Sequence, residues 1–541
     1  MQRAVLLLVV LATLVAPALP VAADYFIYMT PTETVRDGGQ FAATIAQANG
    51  IMNFGSSDEG MASAEPTNLL TDGAEDLFFR QDPHGLPDGV IPTVAAWGRR
   101  VAYGAVDFAS VFSYDSARAS ARYDYEARFD AAAISPVARA ARSARDDSWR
   151  IFNTALDALR RNVSQLYNSS SFVVRNASDA YLPFAPANFT VLNRSAALAI
   201  AAVELGDGIF VVSGTVRTSG DVVRYRVSLD QATPAGGTVK VTELSRAVDP
   251  PRRATGFVAV FERLRSAANA TGVEGPWQRV AYFERNETSF GATLAVSAAS
   301  GRSGRHFAVG APEEGRVDLY SGEDAAAGAS ESAATPSWRW VRSITASSLA
   351  AHLSATSHFG AALALGEAAL VIGCPDALGS SSAIFVFAID VDHVSNASSV
   401  RAEPSCRLTH PGERLGAAVT LQTQPASMIT TVVAGRPDGT TPGIHAWRFS
   451  APATGSSGSS SAPAMTCVEM NSVTGFKMSD TDETATAIGY GDETLHFAAP
   501  KAINSDLGTP GMDGRLYISK YCFPNRVSLF LFTANILYES C

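Results

Sequence analysis

The sequence predicts an all-β fold assembled from a repeated four-stranded unit, and three observations carry that prediction. First, Phe290-Gly291-Ala292-Thr293-Leu294-Ala295-Val296 precedes Phe307-Ala308-Val309-Gly310-Ala311-Pro312 and then Gly315-Arg316-Val317-Asp318-Leu319-Tyr320. These read as an alternating strand, a turn, a second strand ended by proline, and a third strand after a short loop. Second, the spelling returns at 358–364, 370–375 and 383–387, again at 414–420, 432–437 and 444–449, and more loosely at 475–478, 495–500 and 514–518. Third, one more strand candidate lies between units, as at 277–283 and 338–342, which brings each unit to four strands. Self-similarity at roughly 55–70 residues indicates radial or stacked repeats, because one such sheet cannot bury both faces alone. Four strands per unit are the content of one β-propeller blade.

Taken in chain order, the sequence begins with a secretory signal. Arg3 supplies the positive start, residues 4–15 the apolar core, and Val21-Ala22-Ala23 the small-residue cleavage site, so that residues 1–23 leave and the mature chain starts near Asp24. Tyr25-Phe26-Ile27-Tyr28-Met29 has no partner of its own before the first repeat. It is expected to add to the last sheet as its outer strand, which removes free edges. Repeat starts fall near 41, 94, 198, 290, 359, 415 and 476. They give seven units over 24–520, clearest in 257–520. Between the second and third units, Ser135, Pro136 and the spaced Trp149, Phe152, Leu156, Leu159 and Val163 predict an amphipathic helical insertion over about 135–165. Its polar face carries Arg139, Arg142, Arg145, Arg160 and Arg161, a solvated face or a dock for an acidic partner. Residues 323–337 and 455–463 are Ala/Ser/Gly-rich loops, and 521–541 form a tail or outer strand.

Composition narrows the classes further. Among 541 residues, 47% are hydrophobic and 17% charged, which suits a packed core and excludes wholesale disorder. The net charge of −10 argues against nucleic acid as partner. Asn-X-Ser/Thr sequons occur at Asn162, Asn168, Asn176, Asn188, Asn193, Asn269, Asn286 and Asn396, as expected of an exported glycoprotein. Cysteines 374, 406, 467, 522 and 541 allow two internal bridges with one thiol left over, and their pairing cannot be read. Cys406 and Cys467 precede their next repeat starts by the same spacing.

The Phe-Gly of 290–291 and 359–360 and the Gly-Ala-Pro of 310–312 resemble the FG-GAP repeats of the integrin α-chain head. Gly373-Cys374-Pro375, Gly435-Arg436-Pro437 and Ala498-Ala499-Pro500 depart from the motif by one residue. The resemblance implies a seven-bladed β-propeller of four-stranded blades and a role in cell adhesion. It also implies calcium loops between first and second strands. Here those loops lack the alternating acids at 298–304, 366–368 and 422–424, so no cofactor is required. Asp480 and Asp482 are the remaining calcium candidates, without the following glycine.

No zinc-protease, nucleophile-elbow, phosphate-loop or Cys-x-x-Cys motif occurs, so the chain is expected to be non-catalytic. The leading expectation is a secreted or cell-surface module that binds an extracellular protein or glycan, with a membrane-attached partner chain as a further prospect. Loops on a rigid scaffold carry such specificity. The candidate binding residues are Glu313, Glu314 and Arg316; Asp376; Arg436 and Asp438; and Lys501, Asn504 and Asp506. The competing expectations are a glycoside hydrolase or lyase with an axial pocket, and a structural ectodomain of a larger membrane complex.

Overall fold

The structure is a computed structural model. It describes residues 91–115, 122–168, 187–233, 236–249, 254–265, 274–297, 305–323 and 337–349, and on either side chiefly the strands and linkers named below. The signal segment, most of the Ala/Ser/Gly-rich stretches and residues 523–541 lie outside the described residues.

The chain is mostly β. Strands β1 (Ile27–Tyr28) and β2 (Thr32–Val35) come first. Sheet 1 follows with β3 (Thr44–Ala48), β4 (Ile51–Ser56), β5 (Gly60–Ala64) and β6 (Phe79–Gln81). Sheet 2 holds β7 (Thr93–Trp97), β8 (Arg100–Gly104), β9 (Phe108–Asp115) and β10 (Arg122–Asp130). Helices α1 (Ala131–Ile134) and α2 (Pro136–Asn168) intervene. Sheet 3 comprises β11 (Ala187–Gly206), β12 (Ile209–Thr233), β13 (Gly236–Asp249), β14 (Thr255–Arg265) and β15 (Glu274–Arg285). Sheet 4 is β16 (Thr293–Val296), β17 (Arg305–Ala311), β18 (Arg316–Glu323) and β19 (Ser337–Thr345), with a short helix α3 (Ala346–Leu349) after it. Sheet 5 is β20 (Ala362–Leu365), β21 (Ala369–Leu378), β22 (Ser381–Ala388) and β23 (Cys406–Pro411). Sheet 6 is β24 (Ala418–Gln424), β25 (Ile429–Arg436), β26 (Gly443–Ser450), β27 (Thr466–Glu469) and β28 (Val473–Thr474). Sheet 7 is β29 (Ala487–Gly491), β30 (Thr494–Ala499) and β31 (Arg515–Cys522).

Among the described residues all pairing is antiparallel, and within a sheet the strands lie in chain order apart from the insertion in sheet 3. Sheet 7 is completed from the other end of the chain. Ile27 pairs with Cys522 and Thr32 with Ile518, so β1 and β2 both lie on the outer edge of β31. The first strands of the sheets also touch in sequence: β3 meets β7, β7 meets β11, and the series continues through β16, β20, β24 and β29, which in turn meets β3.

Strand alternation sorts side chains between neighbouring sheets. In β17, Phe307, Val309 and Ala311 join a core with Val211, Val258 and Val260 of sheet 3. Ala308, on the opposite face, joins Leu363, Leu370, Ile372 and Phe385 of sheet 5. In β21, Leu370 and Ile372 face sheet 4, while Ala369 and Val371 pack against Val432, Ala434 and Trp447 of sheet 6. Period two thus serves two interfaces at once, which explains strands with few polar residues. A fully buried Phe at such an interface contributes about 1.5–3 kcal/mol.

Sheet 3 differs from the reading of the sequence. Residues 209–212 and 222–227 look like separate strands, because two glycines and polar residues lie between them. They are one strand of 25 residues, β12. Its middle is held in place by β11, with Gly214 opposite Ile200 and Gly220 opposite Arg194. The third strand of the sheet is therefore β14, which pairs with residues 209–216 of β12. The far halves of β11 and β12, with β13, form a three-stranded extension. Helix α2 covers one face of it through Phe152, Leu156 and Leu159, packed on Phe189, Val191, Tyr225 and Val227. Pro136 sits at the first helical position, and the Ser135 hydroxyl accepts from the Ala138 amide at 3.4 Å.

Candidate binding surface at the strand-end loops

The Phe-Gly spelling is a backbone device. In three successive linkers the amide of Ala292, Ala361 or Ala417 donates to the carbonyl of Ser289, His358 or Arg414. The glycine inside each turn has a positive φ: 86° at Gly291, 91° at Gly360 and 87° at Gly416. That is the third position of a type II turn, where a side chain is strained. Each glycine amide also donates to a second-strand glycine of its own sheet, Gly310, Gly373 or Gly435, at 3.0 Å. The preceding Phe290, Phe359 or Leu415 is fully buried. The second-strand glycines give room for the next linker: a Cβ on Gly310 would lie 2.4 Å from the Gly360 carbonyl oxygen. These contacts set each linker against the end of the second strand of its own sheet, where the candidate loops begin.

At sheet 4 the predicted residues Glu313, Glu314 and Arg316 come together with the linker at 285–289. The Thr288 hydroxyl donates to Glu313 at 3.1 Å, and the Ser289 hydroxyl donates to Glu314. The Glu313 amide donates back to Ser289 Oγ at 3.2 Å. Arg316 makes a two-pronged contact with Glu287, one arm at 3.0 Å, and its Nε lies 3.3 Å from Asp318. Asp318 is 1% exposed and also meets Arg285 at 3.1 Å and the Ser343 hydroxyl. Burial opposes the charge on Arg316, yet Glu287, Asp318 and Glu314 together hold its pKa above the usual value. Burial, and next the charge of Asp318, push Tyr320 up to about 12. Only Glu313 offers an open face in this network; the others are fixed by it.

At sheet 5, Asp376 Oδ2 lies 2.6 Å from Nδ1 of His358, and both side chains are about half exposed, at 45% and 48%. His358 has a φ of 50°, a conformation rare for a non-glycine residue. The neighbouring Cys374 thiol donates to the Ser357 carbonyl at 3.2 Å, and burial raises its pKa to about 11. Cys374 is therefore an unreactive core thiol. Arg436, predicted to be a binding residue on a loop, is 3% exposed at the end of β25, and burial lowers its pKa. Its guanidinium is part of the interior rather than of a contact face. Asp438, Lys501, Asn504 and Asp506 lie outside the described residues, as do the calcium candidates Asp480 and Asp482.

Sequence reasoning missed Asp318 and Ser343. The signal available was an acid at the centre of the buried alternation Val317-Asp318-Leu319. Two further carboxylates join sheets in the same manner. Glu126 accepts from Trp277 Nε1 at 3.2 Å and pairs with Arg100 and Arg263. Glu262 accepts from Trp338 Nε1 at 2.6 Å and pairs with Arg305. Glu204, on the inner strand β11, is driven up to about 8 by burial. It keeps some surface exposure while being surrounded by protein.

On α2 the basic face is largely engaged. Arg150 pairs with Asp147, Arg160 with Asp157, Arg142 with Asp130, and Arg139 donates to the Ala132 carbonyl. Arg142, Arg145 and Arg194 line a cavity of about 260 Å³ that Asp107 and Asp130 share. Of the sequons, Asn188, Asn193 and Asn286 are exposed; Asn162 and Asn168 fall on α2, and Asn176, Asn269 and Asn396 lie outside the described residues. One disulfide, Cys406–Cys467, joins the fourth strands of sheets 5 and 6 across a Cα separation of 6.3 Å. Among the described residues no cluster of His, Cys, Asp and Glu could hold a metal ion. Nor is any helix among them long and apolar enough to cross a membrane. No protein-family model matches the chain, and no curated protein matches it.

Proposed function

We propose that the seven sheets are the blades of a β-propeller of the FG-GAP kind, and that the protein is a non-catalytic extracellular binding module. The contact of first strands in chain order, with the last meeting the first, is the observation that supports the propeller. The same turn at Phe290-Gly291, Phe359-Gly360 and Leu415-Gly416 supports the FG-GAP assignment. Exposed sequons at Asn188, Asn193 and Asn286 and a disulfide between strands favour an oxidising, exported setting. The ligand is an extracellular protein or glycan, reached by the protein free or beside a membrane-attached partner chain.

The contact face is centred on the half-exposed His358–Asp376 pair and Glu313, which lie at equivalent strand ends of adjacent sheets. Charged side chains held in place by a rigid frame lose little entropy on binding. The test is a screen of the secreted glycoprotein against immobilised extracellular glycans and cell-surface ectodomains. A triple variant carrying Glu313→Ala, His358→Ala and Asp376→Ala should lose at least about tenfold in affinity for the captured ligand while melting like the parent. Undiminished affinity would remove this face from the reading.

A further inference from the structure

We infer that strand β13 is a homodimerisation edge, along which a second copy of this chain adds antiparallel about a two-fold axis between Leu244 and Ser245. The strand is well formed, but among the described residues no other strand meets its outer edge. It pairs with β12 on the inner side, from Gly236↔Thr233 to Asp249↔Gly220. Every residue from 241 to 248 is exposed, including Val241 at 41%, Leu244 at 48% and Val248 at 67%. An open edge bearing apolar side chains is a template for another strand.

The sequence of β13 complements itself. An axis between Leu244 and Ser245 sets Val241 opposite Val248, Thr242 opposite Ala247, and Glu243 opposite Arg246 of the other copy. It also sets Lys240 level with Asp249. The faces agree as well. A bulge at Leu244, where Arg224 pairs with Ser245 and Tyr225 with Glu243, reverses the alternation at the centre. Glu243, which pairs with Tyr225, and Arg246, which pairs with Val223, therefore share the face on which α2 packs, as do Val241 and Val248. Within one copy Arg246 already binds Glu243 at 3.0 Å and Asp221 at 2.7 Å. Across the axis the two Glu243–Arg246 pairs close into a ring of alternating charge. The opposite edge of the same layer, β11, carries the sequons Asn188 and Asn193, whereas β12 and β13 carry none. Glycans attached there would shield one edge and leave the other bare.

The test is sedimentation of the secreted full-length protein at micromolar concentration. The parent should be dimeric. Glu243→Lys faces Arg246 of the other copy with a like charge, and Arg246→Glu faces Glu243 likewise. Each variant alone should dissociate at least roughly tenfold more readily, since the two-fold axis makes each substitution act twice. Mixed in equal amounts, the two variants should form a heterodimer. The introduced lysine of one then meets the introduced glutamate of the other, while the unaltered Arg246 of the first meets the unaltered Glu243 of the second. A monomeric parent, a dimer indifferent to both variants, or two variants that stay monomeric on mixing would each overturn the inference. Unchanged circular dichroism of the single variants separates loss of association from loss of fold. Ligand capture through the strand-end loops is read separately, so failure here leaves the binding face standing.

Discussion

Gly373 has no space for a side chain. A Cβ there would come within 2.1 Å of the Gly416 carbonyl oxygen in the next linker, which is backbone and held by its own turn. Gly373→Ala should therefore destabilise the protein by about 3 kcal/mol, measured by chemical denaturation, with the change felt at both sheets 5 and 6. Glu204 gives the residue scale a pH signature. Its pKa rises from the ordinary carboxyl value to about 8 by burial, so the folded state holds a proton that the unfolded state has lost. Below the unfolded value both states are protonated and nothing is lost; as pH climbs towards 8 the penalty builds, and above 8 it is complete. Glu204→Gln should raise the melting temperature at pH 9 by more than at pH 5. The partial exposure of the side chain limits the difference to about 2 kcal/mol. The Phe-Gly turns were legible in the sequence because they are local: a bulky apolar residue followed by a residue free to take positive φ. Asp318 was not, because its arginines and Ser343 come from other strands and only folding unites them. Arg436 misled because a basic residue before proline reads as a loop, yet β25 carries it inside.

At the scale of elements, the two fourth strands joined by Cys406 and Cys467 are the clearest case of a long-range constraint. The bridge closes a span of 61 residues. On the loop-closure account its removal costs about 4 kcal/mol. Cys406→Ser combined with Cys467→Ser, or reduction, should lower the thermal midpoint, and the double variant should be insensitive to added reductant. Equal spacing of the two cysteines before their next repeat starts was visible in the sequence. The pairing was not, since spacing says nothing about which outer strands lie side by side. The long β12 was also hidden. Glycine-bounded polar residues resemble a turn, and only the partner β11, hydrogen-bonded along the whole length, makes them strand.

The molecule as a whole depends on strands from its two ends meeting in sheet 7. Deleting residues 24–35 would strip β31 of its outer partners and open an edge. The expected result is aggregation, measured as soluble yield, and a synthetic peptide of residues 24–35 added in trans should restore part of it. Sequence alone foresaw that the N-terminal strand would need a partner and that the last sheet offered one, because both followed from counting strands per repeat. It left open how the third unit is built, where the insertion interrupts the count.

That shared sheet also fixes an order in time. During synthesis β1 and β2 are made among the first segments, but β31 follows only after roughly 480 further residues. At roughly 5–20 residues per second that is a wait of about half a minute to a minute and a half. Throughout it the earliest strands have no native partner, and the last step of maturation is the return of the final strand to the first.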